Sequence, residues 1–305
     1  PRAGGRPAPP LGDPLPAESF RTASARLAAL GFSREAIDIA DTIGAAEPLL
    51  SLATLEAEGR RRTAAAELKA LRLRQAVTDR VLLAMLDVSG TLAAIDCEGE
   101  RGDQLRVLLQ GTESRRARRL GLASIMVGAL TAALSGGLSV VGAAGAGSAA
   151  GIAGGAAEAS VATSLMFGSA TGEFRTERNL LRDVWERPAR SDLFPPSVWR
   201  FLTKRPDGDP DQATVAEVVV AEWRAGELLG RDGREAERPR VALLFGAGGA
   251  YTVEELEARD AMLDLLEASV ALMSRDLRIL LEELLARPAS TRPAPLPAPP
   301  GRNRP

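Results

Sequence analysis

Charged residues are missing from one long stretch of this chain. Residues 120–157 carry no charge, and after Glu158 the uncharged run continues to Gly172. Within this run, residues with short side chains recur at every fourth position from Ser135 to Thr163. Because residues i and i+4 share one face of a helix, the spacing predicts a glycine zipper, a flat face on which another backbone packs closely. The predicted packing residues are Gly147, Gly151, Gly155 and Ala159.

The uncharged run has the length and the flanks of a membrane segment. We interpret residues 119–172 as an apolar helical hairpin, because residues 120–141 are long enough to cross a hydrocarbon layer of about 30 Å and residues 142–147 supply a bend. Glu158 should face a bundle interior or water, since an ionisable group at this depth is costly in lipid. Arginines precede the hairpin, where they would meet lipid headgroups. These predicted membrane-interface residues are Arg115, Arg116, Arg118 and Arg119.

Aromatic side chains cluster at and beyond the end of the second limb. Six of the chain's eleven aromatic residues lie within the 35 residues from Phe167 to Phe201. Trp185 and Trp199 suit a membrane interface, because the indole ring is apolar and its N–H is polar. The alternative interpretation is an aromatic mini-core around the paired prolines that follow Phe194.

Helical patterns lie on both sides of the hairpin. Ser33 is a predicted N-cap in the first part of the chain. From Ala66 to Ile95, apolar residues repeat with a period of eleven, which predicts a long, nearly straight helix. Gly90 or the region from residue 98 to 103 could interrupt it.

The C-terminal helix has the strongest pattern in the sequence. Thr252 followed by Glu255 is a capping box, and a leucine-rich heptad continues from Leu256 to Leu284 with Arg259 out of pattern. Such a heptad is either an intramolecular bundle seam or an intermolecular coiled coil. We favour the intramolecular seam.

The region before this helix predicts mixed local structure. Residues 211–229 have a helical pattern, and residues 231–240 have the charge density of a solvated linker. Val241–Phe245 is a β-prone run, and four residues rich in glycine follow it. This arrangement is only weakly similar to a phosphate-binding loop, since no Lys-Ser/Thr pair follows. We therefore interpret it as a tight turn that leads into the Thr252 cap.

These patterns predict an all-α fold, an elongated helical bundle with long coiled-coil-like helices and the apolar hairpin. The predicted segments are a Pro-rich tail (1–17), N-terminal helices including one long helix (18–118), the hairpin (119–172), a loop region with aromatic residues, prolines and one helix (173–250), the heptad helix (251–287) and a second Pro-rich tail (288–305).

The composition disfavours several classes of function. The chain has no histidine, which removes the commonest general base near neutral pH, and we expect a protein that is not an enzyme. A net charge of -2 and a pI near 5.6 give no sign of a nucleic-acid partner. Cys97 stands among carboxylates, which predicts an inert rather than a reactive thiol. No small-molecule substrate and no cofactor are indicated.

A group of carboxylates around Cys97 raises the question of a metal site. Asp96, Glu98, Glu100 and Asp103 lie close enough in sequence for a hard cation. Their spacing differs from that of a calcium loop, and it lacks the closing glutamate. We therefore interpret the group as a solvated charged turn, and no metal site is predicted.

Three stretches together resemble an uncharacterised family of bacterial proteins. In this family a glycine-rich apolar segment lies between the first and second motifs, and the resemblance covers about residues 50–285. It implies a bacterial source and an envelope location, without an activity or site residues. The stretches are Ala94-Ile95-Asp96-Cys97-Glu98 with Asp103-Gln104-Leu105, Leu181 to Glu186 with Phe194 to Trp199, and Leu244-Phe245-Gly246 with Gly249 and Tyr251-Thr252.

The sequence predicts a non-enzymatic, membrane-associated helical protein of the bacterial cell envelope. We expect it to be exported, to contact membrane lipid, and to form a homo-oligomer through the glycine-zipper hairpin. A pore or channel is one form of that assembly. The alternative is a soluble periplasmic helical scaffold or adaptor in which the hairpin is buried in the protein's own bundle.

Overall fold

A computed structural model describes residues 15–58, 63–140, 170–206, 211–230 and 233–287, with the side chains of 17, 116–140 and 233–238 excepted. Within these ranges the protein is mainly helical, as the sequence predicts, with two short strands in addition. The elements are α1 (Ala17–Ala29), α2 (Arg34–Thr42), α3 (Ala46–Ala57), α4 (Ala64–Val140), β1 (Gly172–Arg175), α5 (Leu180–Glu186), α6 (Pro196–Thr203), α7 (Val215–Ala225), α8 (Gly233–Phe245), β2 (Gly248–Tyr251) and α9 (Val253–Ala286).

The chain divides into two compact units. Unit 1 comprises Pro1–Leu92, Ala189–Val218 and Ala268–Pro305, and unit 2 comprises Ala93–Pro188 and Val219–Glu267. Both units are therefore assembled from segments that are distant in sequence.

In unit 1, the first three helices form a compact group with α6. The predicted Ser33 cap is confirmed, because its hydroxyl accepts a hydrogen bond from the N–H of Ala36 at 3.1 Å. Asp41 is buried and accepts hydrogen bonds from the N–H of Leu15 and the ammonium of Lys204. The charges of Asp41 and Lys204 are thus paired where the surrounding side chains are largely apolar.

Helix α4 is longer than the sequence predicts. It continues without interruption through Gly90 and residues 98–103, although both were candidate breaks. A glycine inside a helix costs only about 1 kcal/mol relative to alanine, and burial of an apolar face offsets such a cost. The helix starts at Ala64, because the preceding predicted helical residues form α3 separately. The buried face of the eleven-residue repeat includes Val77, Val81, Ala84, Val88 and Ile95.

The β-prone run before the C-terminal helix is not a strand. Val241–Phe245 is the last part of α8, and the strand β2 is formed by the glycine-rich residues that follow. β2 pairs antiparallel with β1, in the register Gly172 opposite Tyr251 and Arg175 opposite Gly248. The β-propensity of residues 241–245 does not decide their structure, because a strand needs a neighbouring strand with which to pair. β1 pairs with the glycine-rich residues and not with the β-prone run.

The predicted charged linker is also helical in part. α8 begins at Gly233, so residues 233–240 belong to a helix rather than to a solvated loop. Glutamate, arginine and alanine dominate this stretch, and all three have high helix propensity.

The predicted capping box and heptad of the C-terminal helix are confirmed. The N–H of Glu255 donates to the Thr252 hydroxyl at 3.2 Å, and the N–H of Thr252 donates to the Glu255 carboxylate at 2.8 Å. The seam is buried within the chain, which agrees with an intramolecular rather than an intermolecular role. Its buried members are Leu256, Leu263, Leu266, Val270, Met273, Leu277, Leu280 and Leu284.

Gly248 provides a test of the two-stranded sheet. Its φ is +98°, and a Cβ at this position would overlap the carbonyl oxygen of Phe174. We expect Gly248→Ala to lower the free energy of unfolding by about 2 kcal/mol or more, through strain and loss of strand pairing.

Gly102→Ala is the matched control in the same unit. A Cβ there meets nothing within 4 Å, and we expect a gain of up to about 1 kcal/mol. Equal thermal shifts for the two variants would contradict this account of the sheet.

Candidate functional site at the base of the apolar segment

The two ends of the apolar segment meet in unit 2. The N–H of Ala170 donates a hydrogen bond to the Glu113 carboxylate of α4 at 3.0 Å. Gly172 packs against Leu105 and Leu109 of the same helix, so closely that a Cβ would lie 2.8 Å from the Leu105 side chain. We call these five residues the clasp. They bring the chain back to α4 shortly before the apolar part of this helix begins at Leu120.

Strand β1 fixes the returning chain beyond the clasp. The Arg101 guanidinium of α4 donates to the backbone carbonyl of Arg175 at 3.2 Å. The same guanidinium lies 5.6 Å from the centroid of the Phe174 ring, within the range of a cation–π interaction. β1 is therefore held by α4 on one side and by β2 along its edge.

The Phe174 ring is the buried side chain of β1. It packs edge-on against Tyr251 of β2, with the ring centroids 5.6 Å apart. The Tyr251 side chain is fully buried, and its hydroxyl donates to the carbonyl of Leu243 at 2.7 Å. This hydrogen bond satisfies the phenol inside the protein, so the ring pair can lie in the core of unit 2.

An ion pair lies beside these rings. Glu98 of α4 accepts a hydrogen bond from Arg259 of α9, and their side chains are only 7% and 2% exposed. The Arg259 guanidinium also lies 5.5 Å from the Phe174 ring centroid. Among the described residues, its Nε and Nη1 have no hydrogen-bond partner, so Glu98 supplies its polar contact. The pair thus joins α4, α9 and β1 within unit 2.

The electrostatic environment of the pair is shaped by burial. Burial raises the pKa of the Glu98 carboxyl, while Arg259, the N–H of Leu180 and Arg101 act in the opposite direction. Burial also raises the pKa of Tyr251, which Arg259 opposes and the carboxylates of Glu255 and Glu98 reinforce. A carboxyl whose pKa is raised by folding contributes most stability at low pH, and that contribution is lost as the pH rises through the folded pKa.

The carboxylate group around Cys97 is not the predicted charged turn. All its members lie inside helix α4, and the helical period separates them around its circumference. Glu98 points into the core, while Asp96 and Glu100 are exposed and Asp103 pairs with Arg106 at 2.7 Å. No group of three or more carboxylate or thiol side chains in the described part of the chain could hold a metal ion.

The predicted interface arginines continue the helix beyond the clasp. Arg115 is exposed, and its Nε donates to the carbonyl of Gly111 at 3.1 Å. Arg116, Arg118 and Arg119 follow it in α4, and their side chains lie outside the described residues. The same is true of the predicted packing and intramembrane residues Gly147, Gly151, Gly155, Glu158 and Ala159, of which the backbone is also not described.

The two predicted interface tryptophans pack against other aromatic rings. In unit 1, Trp199 is buried and stacks on Phe194, with the ring centroids 5.4 Å apart. In unit 2, Trp185 is half-buried and stacks on Phe245 at 4.6 Å, with the Arg224 guanidinium 5.0 Å from its ring centroid. The first pair is the arrangement that the alternative interpretation, an aromatic mini-core, describes.

A cleft in unit 2 is lined mainly by polar surface. Its volume is about 850 Å³, and residues 226–228 contribute to its wall. Its acidic side chains already have intramolecular roles, since Glu254 pairs with Arg240 at 3.3 Å and Glu255 caps α9. The cleft therefore does not by itself indicate a ligand.

The clasp was not predicted from the sequence, and Glu98 was wrongly predicted to lie in a solvated charged turn. The usable signal was Arg259, the single charge in an apolar heptad, because a buried arginine requires a carboxylate partner. Glu113 and Arg101 carry no such signal, since charged residues on a helix are usually solvated.

No protein-family model, characterised protein or solved structure matches this chain. In the part of the chain that the structure describes, no helix is long and apolar enough to span a membrane.

Arg259→Met tests the buried pair. Methionine is an apolar side chain of similar length, so the variant fills the same space but leaves Glu98 without its cation. We expect the free energy of unfolding to fall by about 3–5 kcal/mol near neutral pH. Without Arg259 the pKa of Glu98 rises further. The deficit relative to the wild type should therefore grow as the pH rises from about 4 to 7.

The control for this variant is Arg278→Met on the same helix, because Arg278 is 61% exposed and pairs with Glu282. We expect a loss below about 1 kcal/mol for the control, with little dependence on pH. Thermal unfolding of both variants at several pH values gives the comparison. A deficit of Arg259→Met that stays constant with pH would contradict the assigned role of Glu98.

Proposed function

We propose that this protein is a non-enzymatic, membrane-associated helical protein of the bacterial envelope, and that residues 119–172 form a hairpin that enters lipid and assembles with copies of itself. The clasp is the observation that supports this proposal. A segment that crosses a membrane and returns must have both ends on the same side, and the hydrogen bond between Ala170 and Glu113 holds the ends together.

The length of α4 supports the same arrangement. The helix continues from Leu120 to Val140, and these 21 residues span about 31 Å, close to the thickness of a hydrocarbon layer. The 29 residues from 141 to 169 would span about 43 Å as a helix, which is enough to return to Ala170. A second limb that returns over the same distance as the first uses most of these 29 residues and leaves only a few of them for the bend.

Beyond Glu113 the charged residues of α4 are all arginines, and none follows residue 119 in this helix. Glu113 and Arg115 are the last charged residues of α4 whose side chains are described, and three further arginines follow in this helix before residue 120. A cluster of arginines next to an apolar helix favours headgroup contact and opposes translocation. The clasp would then lie at the membrane surface, and the parts of unit 2 other than residues 120–169 would lie outside the hydrocarbon layer.

The envelope location rests on the resemblance to bacterial proteins that share the three motifs. Assembly rests on the small-residue spacing of residues 135–163, because close backbone approach drives helix association in lipid. A pore is one outcome of such assembly. Glu158 would then face the interior of the assembly or its aqueous channel.

Flotation with liposomes tests the membrane proposal. We expect the full-length protein to float with vesicles of mixed neutral and anionic lipids. A variant in which a short Gly-Ser linker replaces residues 120–169 should remain in the bottom fraction, because it lacks the apolar segment. The linker variant keeps the clasp residues, and its thermal unfolding shows whether unit 2 remains folded. Release of a trapped dye would distinguish a pore from an anchor.

One result would contradict insertion into lipid. If the full-length protein is a monodisperse monomer in plain buffer and does not float with any vesicle, the hairpin is buried in the protein's own bundle. The alternative function, a soluble periplasmic scaffold or adaptor, would then be favoured.

Substitution of the zipper tests the assembly. Replacing Gly147, Gly151 and Gly155 with leucine should lower the oligomer fraction in detergent several-fold, because the added side chains keep the helices apart. The matched control replaces Ala146, Ala149 and Ala153 with leucine, since helical spacing places these on the opposite face. The oligomer fraction is measured by sedimentation. Equal effects of the two triple variants would count against the zipper.

A further inference from the structure

Helix α4 has a second apolar face in unit 1. Its inward face carries Val77 and Val81, which are fully buried. The outward face carries five leucines that are between 39% and 69% exposed. These residues are Leu68, Leu71, Leu82, Leu83 and Leu86.

The exposure of these leucines is unusual because of their arrangement. Single exposed leucines are common on soluble proteins, but exposed leucines grouped at the two ends of one helix face are a feature of interaction surfaces. At 100° per residue, the five leucines fall within about 120° of the helix circumference, opposite the buried valines. We call this surface, together with the exposed Arg72, Gln75 and Asp79 at its centre, the α4 outer face.

The α4 outer face has nearly the same pattern when read in either direction. The steps between its successive residues are three, one, three, four, three, one and three. Apolar residues occupy both ends, and polar residues occupy the middle. In a twofold symmetric interface each contact occurs twice, with residue i facing residue j and j facing i. A reversible pattern of this kind suits an antiparallel contact of the surface with itself.

We propose that the α4 outer face binds the same face of a second copy of this chain, with the two helices antiparallel and the twofold axis passing near residue 77. In this register Leu68 lies opposite Leu86 of the second copy, and Leu71 lies opposite Leu82. The leucines at the two ends are thereby covered in both copies.

The charges at the centre select the antiparallel orientation. In the antiparallel register, Arg72 lies within one helical turn of Asp79 of the other copy, on the same edge of the interface, and the symmetry forms this pair twice. In a parallel register, Arg72 would face Arg72 and Asp79 would face Asp79. Like charges in contact are unfavourable, whereas opposite charges within a turn are favourable. Gln75 donates to Asp79 at 2.8 Å and supports this carboxylate from its own helix.

The size of the surface predicts the strength of the dimer. From Leu68 to Leu86 the face is about 27 Å long, so the interface is at the small end of specific protein contacts. We therefore expect a dimer that dissociates on dilution. The proposal does not depend on the apolar segment at residues 119–172, because the face lies on another part of α4.

Disulfide trapping in the full-length protein tests the register. In a Cys97→Ser background, Ala64→Cys and Ser89→Cys each place one thiol on the same edge of the α4 outer face, and both positions are exposed. The antiparallel register brings Cys at position 64 of one copy opposite Cys at position 89 of the other. We expect the mixed proteins to form the 64–89 disulfide dimer, while each protein alone forms little dimer.

The other outcomes overturn the proposal. A 64–64 disulfide from Ala64→Cys alone indicates a parallel dimer. Trapping no faster than for Arg278→Cys, an exposed position on α9, indicates that the face does not bind a second copy. Because trapping is measured in plain buffer and in detergent, a failure here is distinguishable from a failure to float with liposomes.

Charge exchange gives a second, independent measurement. We expect Arg72→Glu and Asp79→Arg each to raise the dimer dissociation constant by about tenfold, since each converts two attractive pairs into repulsive ones. The double variant restores opposite charges and should recover most of the affinity. Sedimentation over a range of concentrations measures the constants. A double variant weaker than both single variants would contradict the Arg72–Asp79 pairing.

Discussion

The ion pair of Glu98 and Arg259 is the constraint on which unit 2 depends. Two charges that are almost fully removed from water cost several kcal/mol to desolvate. Their mutual contact offsets that cost, together with the Leu180 N–H and Arg101 beside Glu98. The contact requires α4 and α9 to approach at one position. The Phe174 ring lies over the same guanidinium, so the position of β1 follows from the same interaction. An interaction that is expensive to break thus sets three elements at once.

The ion pair also helps to position the base of the apolar segment, because β1 packs against Arg259 and leads directly from the clasp. β1 is fixed by Phe174 and by Arg101, and the residues just before it form the clasp with Glu113. The strand is only four residues long and would not be stable alone, because a two-stranded sheet needs a packed face. The strand holds the chain against α4.

The sequence predicted those features that are determined locally. The Thr252 capping box, the Ser33 cap and the heptad from Leu256 to Leu284 depend on residues within a few turns of one another, and all are present. The strands could not be predicted. Val241–Phe245 has the higher β-propensity, but the pairing partner of β1 was decided by residues more than 70 positions away.

The candidate site was missed for a related physical reason. The residues around Glu98 are charged or glycine, which is typical of a solvated turn. In the structure the helix continues through this region and places Glu98 on its buried face. Arg259 was visible as an exception to the heptad, yet its carboxylate partner is 161 residues away. Charged residues that pair across such separations look, in one dimension, like any surface charge.

The long sequence separation of the clasp has a consequence for biosynthesis. The chain emerges from its N-terminus, so every residue of the apolar run leaves the ribosome before Ala170 can reach Glu113. Tyr251 and Arg259 emerge later still, and until then the ring of Phe174 and the carboxylate of Glu98 lack the partners that bury them. The most apolar part of the protein is therefore exposed while unit 2 cannot yet close. Apolar surface that is exposed in an incompletely folded chain favours aggregation, so this interval of synthesis is the one in which the chain is most vulnerable.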